Sequence, residues 1–78
     1  SYFRTRDGME IDYILEFDGR LTPFEVKWTE NPDPIDARHV RTFLQEHPKK
    51  ATQGFVVCRS PRPAKLAENV TAIPWWRL

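Results

Sequence analysis

Cysteine occurs once, at position 58, so no disulfide can form within the chain. Its scarcity makes the reducing cytoplasm the expected compartment. No apolar run approaches the roughly 18 residues of a membrane-spanning helix, and no signal-peptide pattern opens the sequence. Internal repeats and low-complexity tracts are missing, and no stretch reads as a nucleotide-binding loop. An initiating Met is also absent, and the strand-like YFRT begins at once. That start leads to the expectation of a piece cut from a longer protein.

Seventy-eight residues allow one domain with a thin core for its surface. With 40% hydrophobic and 13% aromatic residues, the chain should fold. The net charge of +1 hides an asymmetry, a balance of −5 over residues 1–37 against +6 over residues 38–78. An acidic centre beside a basic half suits a metal site next to a phosphate-bearing partner. It suits a self-complementary oligomer or an inter-domain contact as well, and nucleic-acid binders are usually basic overall.

Tyr2 to Arg6 reads as a short strand ending in Asp7-Gly8, a strong two-residue hairpin signal. Glu10 to Phe17 alternates well enough for a second strand. Asp18-Gly19 repeats the turn, and Leu21 to Trp28 makes a third strand. Three strands joined by tight turns form an antiparallel meander. Glu30-Asn-Pro-Asp-Pro34 then breaks the sheet, with Asp33 placed to cap a helix and Pro34 at its first position. The helix is expected from Pro34 to about Glu46, with Ala37, Val40, Phe43 and Leu44 as its buried stripe. Gly54 to Cys58 reads as a buried strand, brought parallel to Phe24–Lys27 by a right-handed crossover. Val70 to Ile73 reads as a short edge strand before Pro74-Trp-Trp-Arg-Leu78. The fold class is therefore α/β, an α+β mixed sheet in the order β-β-β-α-β.

If Asp18-Gly19 fills the centre of its turn, opposed residues sum to 37. Ile11, Tyr13, Leu15 and Phe17 then share one apolar face with Phe24, Val26 and Trp28, expected to be the core side. Asp12 falls opposite Glu25, and Glu10 opposite Lys27, on the other face. Two carboxylates directly across a strand pair, with Cβ atoms about 5 Å apart, destabilise a sheet unless something positive lies between them. Mg²⁺ or Mn²⁺ is the natural candidate, since hard cations take carboxylate oxygens. Lys27, roughly 7 Å beyond Glu25 along the strand, is placed to hold a phosphate oxygen or orient an attacking water. The plainer reading, surface decoration with a Glu10–Lys27 ion pair, stands level with it.

The acid in the second strand, Glu-x-Lys in the third, and the helix and strand that follow resemble the PD-(D/E)XK nuclease superfamily, which has a restriction-endonuclease-like fold. More narrowly, YFRTRDGMEIDYILEFDGRLTPFEVKW with the later VVCRSPRP and AIPWW resembles the C-terminal domain of a prokaryotic family of predicted AAA-type ATPases. That domain is catalogued as one of unknown function. The resemblance implies a single nuclease-like domain over residues 1–78, the C-terminal fragment of a longer chain whose upstream part is an ATPase. It implies Asp12, Glu25 and Lys27 as catalytic residues, with metal at Asp12, Glu25 and the backbone carbonyl of Val26. The reaction implied is phosphodiester hydrolysis on DNA, with the metal activating water. Two departures stand beside it. Many superfamily members add a glutamate from a helix before the first strand, which this chain does not include, and the ATPase-linked domain is not established as an active nuclease.

Arg38 and Arg41 on the helix, and Lys49 and Lys50 after it, are weak candidates for nucleic-acid contact, with a solvated face as the alternative. Arg59, Arg62 and Lys65 stand in the same position. His39 reads as a polar-face residue, Cys58 as a small core residue and Trp28 as a core ring. Trp75 and Trp76 either cover a sheet edge or meet a partner. Two rivals to catalysis remain, an inactive DNA- or protein-interaction module of the ATPase and a dimerisation unit.

Overall fold

The turn at Asp18 and Gly19 puts both residues at positive φ, 55° and 79°. Positive φ at both centres is the requirement of the type I′ turn, whose twist matches that of the strands it joins. In a computed structural model, which describes the strand backbone of Tyr2–Phe3 and residues 11–77, that turn joins β2 (Tyr13–Phe17) to β3 (Arg20–Val26). Their register runs from Phe17 opposite Arg20 to Tyr13 opposite Phe24, as the sum of 37 predicts. β1 (Tyr2–Phe3) pairs antiparallel with β2 and completes the meander. The expected turn at Asp7-Gly8 and the residue Glu10 lie outside the described residues.

The crossover also forms as its sequence signals require. Asp33 accepts a hydrogen bond from the Ile35 N–H at 2.9 Å, and Asp36 accepts from the Asp33 N–H at 3.0 Å. This reciprocal capping box, with Pro34 at the first helical position, starts a 3₁₀ turn over Pro34–Ala37. It leads directly into α1 (Arg38–Glu46), which buries Val40, Phe43 and Leu44. The chain returns as β4 (Gly54–Cys58), parallel to β3, with Phe24 beside Phe55 and Val26 beside Val57.

The C-terminal part differs from expectation. β6 (Val70–Pro74) is an interior strand, parallel to β4 on one side and antiparallel to β5 (Ala64–Ala67) on the other. Among the described residues the sheet runs β1-β2-β3-β4-β6-β5, a mixed α+β architecture with α1 packed on one face. β5 carries the bulged outer edge, which relieves β6 of that position.

The second correction concerns which face is the core. α1 packs on the face of Ile14, Pro23, Val56 and Cys58, all buried. The ring-bearing face points outward. Phe17 is 76% exposed, Trp28 is 60% exposed, and Leu15 and Val26 are exposed as well. Trp28 is therefore not a core ring. Side-chain size accounts for the choice. A helix can approach closely where the strands present small groups, and Gly54 stands under Val40, where even a Cβ would collide with Val40 Cγ1 and crowd Pro23. Phe24 and Phe55 on the opposite face would hold a helix away.

A candidate site around the buried carboxylate of Glu25

Glu25 points to the helix side, so the strand alternation that sends Phe24 and Val26 outward carries a carboxylate under α1. Only 3% of Glu25 is exposed. Burying a carboxylate costs several kcal/mol unless charge and hydrogen bonds compensate. Two groups do so on the same oxygen. Lys27 Nζ lies 3.3 Å from Glu25 Oε2, and His39 Nδ1 lies 3.4 Å from it. Both partners keep a path to water, with side chains 31% and 27% exposed. The other oxygen, Oε1, is buried without a hydrogen-bond partner. Native folds rarely leave such an atom orphaned unless a ligand, ion or water completes it.

Each member is held by a different device. β3 is paired with β2 as far as Phe24 and with β4 through Val26, and the Glu25–Val56 rung holds Glu25. Lys27 follows the end of β3, where its N–H donates to the Val57 carbonyl at 2.9 Å and its own carbonyl accepts from Thr29 at 2.7 Å. His39 comes from the first turn of α1, beside the buried Val40. Sequence reasoning assigned His39 to a polar face. It borders the buried stripe instead, one residue ahead of Val40, and that adjacency was the available signal.

Asp12 stands one residue before β2, and its carboxylate Oδ2 accepts the Val26 N–H at 2.8 Å. The backbone ladder does not continue to an Asp12–Glu25 rung, because the side chain takes the place of the next strand acceptor. The expectation that the acids lie on the non-core side is corrected at Glu25, which sits under the helix. Among the described residues, no group of three or more His, Cys, Asp or Glu side chains is arranged to hold a metal ion. The group with room for an ion is Glu25, whose buried Oε1 has no hydrogen-bond partner. One carboxylate oxygen makes no protein cage, but it is a donor of the kind Mg²⁺ takes, since that ion keeps waters and is bound by one or two carboxylates plus substrate phosphates.

The basic candidates do not join this cluster. Arg38 Nη1 donates to the Ile35 carbonyl at 3.0 Å. Arg41 lines a cavity of about 250 Å³ with Leu44, Gln45, Ala67, Glu68 and Asn69, at the β5–β6 end of the helix. Lys49 and Lys50 are exposed beyond α1, where the Lys50 carbonyl accepts from the Leu21 N–H at 2.8 Å. Arg59 pairs with Glu30 at 3.1 Å and lies over the Trp28 ring at 5.9 Å. Cys58 is buried, with Sγ 3.1 Å from Ser60 Oγ, in keeping with a core role. No described helix is long and apolar enough to cross a membrane.

A mixed α+β domain with a buried glutamate shared by a lysine and a histidine is the class these observations define. Within it, the chain matches the family described as a domain of unknown function, DUF4143, over residues 1–78, and it belongs to that family. Comparison with curated proteins and with solved structures returned no match.

Proposed function

We propose that this domain is a metal-dependent phosphodiester-hydrolysing module of the PD-(D/E)XK type, with a restriction-endonuclease-like fold, acting on DNA in the service of an attached ATPase. The observation that carries the reading is the orphaned Oε1 of Glu25, whose other oxygen meets Lys27, because a buried carboxylate with one unused oxygen is suited to a hard cation. Asp12 and Glu25, with the backbone carbonyl of Val26, which directly follows Glu25 on β3, would hold Mg²⁺ or Mn²⁺. When bound, the metal would supply an activated water and charge neutralisation on the phosphate. Lys27 would position the water or a phosphate oxygen with its ammonium group. Hydrolysis forms one P–O bond from water and breaks one P–O ester bond, whose leaving oxygen takes up a proton.

A specific observation favours a second reading. Asp12 already spends one oxygen on the Val26 N–H, and three-ligand groups are missing among the described residues. In that reading the fold persists as an inactive DNA- or protein-interaction module. One experiment separates the two. The chain is incubated with DNA and Mg²⁺ or Mn²⁺, and Mn²⁺ binding is followed independently by electron paramagnetic resonance. The first reading expects Mn²⁺ binding that Glu25→Gln weakens at least tenfold, and cutting that Lys27→Ala abolishes without unfolding. DNA binding without Mn²⁺ binding or cutting supports the second.

A further inference from the structure

We infer that the outer face of the sheet docks an amphipathic α-helix of a partner protein, with acidic residues flanking the helix's apolar stripe. This surface lies opposite the Glu25 cluster and is independent of the chemistry proposed there.

The register places Leu15, Phe17, Phe24, Val26 and Phe55 on one continuous face, and Trp28 extends it beyond β3. Leu15, Phe17, Val26 and Trp28 are exposed, between 40% and 76%. A contiguous apolar patch of this kind marks an interaction surface, whereas single exposed apolar residues are ordinary. The pairs β3–β4 and β4–β6 are parallel, a pairing found mostly in sheets with helices on both faces, and they adjoin the antiparallel hairpin that carries Leu15 and Phe17. α1 covers one face. Charge then narrows the occupant. Among the described residues, the strand positions of the outer face include Arg20 and Lys65 and no Asp or Glu, and at Trp28 the nearby Glu30 is already paired with Arg59. A partner whose apolar stripe is bordered by carboxylates complements that rim.

Two other occupants fit less well. A second copy related by a two-fold axis would set the same arginine- and lysine-bearing face against itself, with no acid at those strand positions to neutralise it. Single-stranded nucleic acid needs rings that stand open for stacking. Phe24 and Phe55 already stack on each other, with centroids 5.3 Å apart and planes 21° apart. Trp28 leans on Trp75 at 6.4 Å, and the aliphatic Leu15 and Val26 offer no π surface.

The test uses the chain with three probes: an 18-residue helix-forming peptide with a leucine stripe flanked by glutamates, the same peptide flanked by lysines, and an 18-nucleotide oligothymidylate. Amide shifts are mapped by NMR, and the chain alone is examined by sedimentation. Expected are saturable one-to-one shifts in β2 and β3 with the glutamate peptide, at least tenfold tighter than with the lysine peptide. Phe17→Ser with Leu15→Ser should weaken that binding at least tenfold. Arg20→Glu, an exposed change that spares the apolar contacts, should narrow the preference between the peptides. Equal affinity for both peptides, no shifts in β2 and β3, binding of the oligothymidylate there, or self-association abolished by Phe17→Ser would each overturn the inference.

Discussion

Lys27 and Glu25 stand two residues apart at the end of one strand, with Lys27 Nζ 3.3 Å from a carboxylate oxygen that solvent barely reaches. Removing the ammonium leaves His39 beside that oxygen, and the buried charge is then poorly compensated. Lys27→Ala should destabilise the fold by about 1–3 kcal/mol, less than a fully buried pair because Lys27 is partly solvated. Lys27→Ala combined with Glu25→Gln should recover part of the loss, since the uncompensated charge is gone. Urea unfolding measures both. A Lys27→Ala change within about 0.5 kcal/mol of the parent would show the pair to be energetically idle.

Asp12 and Val26 make a second prediction that separates architecture from chemistry. The Val26 N–H donates to the Asp12 carboxylate at 2.8 Å, beyond the last backbone rung of the hairpin. Asp12→Ala should speed hydrogen exchange at the Val26 amide and cost roughly 0.5–2 kcal/mol. Asp12→Asn keeps an acceptor oxygen and should preserve most of the protection. Unchanged exchange at Val26 in Asp12→Ala would remove the structural role assigned to this acid.

Gly54 predicts a steric penalty. A methyl group there would strike Val40 and press on Pro23, both fixed in the helix–sheet contact. Gly54→Ala should lower stability by about 1–3 kcal/mol, the usual range for overpacking. Val40→Ala in the same chain should offset part of it, giving a favourable coupling in a double-mutant cycle. Additive losses in thermal or urea unfolding would mean that the collision is relieved elsewhere.

Gly19 tests the turn without a steric complication, since nothing lies within 4 Å of a Cβ added there. Its φ of 79° still penalises any L side chain. Gly19→Ala should therefore cost about 1–2 kcal/mol, whereas Asp18→Asn, also at positive φ, should be nearly neutral. Comparable effects of the two substitutions on urea midpoints would contradict the type I′ geometry.

Short-range signals made much of this fold legible. Asp18-Gly19 set the register of β2 and β3, and Asp33, Pro34 and Asp36 announced the start of the helical segment. The spacing also allowed β4 to return parallel to β3. The choice of core face was not legible, because both sides of the hairpin offer apolar residues. It was decided at long range, by the bare Gly54 beneath Val40. β5 escaped notice because Ala64-Lys-Leu-Ala67 lacks the β-branched and aromatic residues that mark strands, and only its partner β6 reveals it. Glu25 and Lys27 were recognisable from Glu-x-Lys, while His39 required the rotation of α1, which only packing fixes.

β3 is held by β4 through Val26 and by β2 up to Phe24, so it would have little freedom to slide if an ion entered beside Glu25. Accommodation must come from the lysine stem and from small tilts of the helix bearing His39. On the proposed reading, selectivity for an incoming ion would therefore be set by the compliance of that helix, on a strand that acts as a rigid anvil.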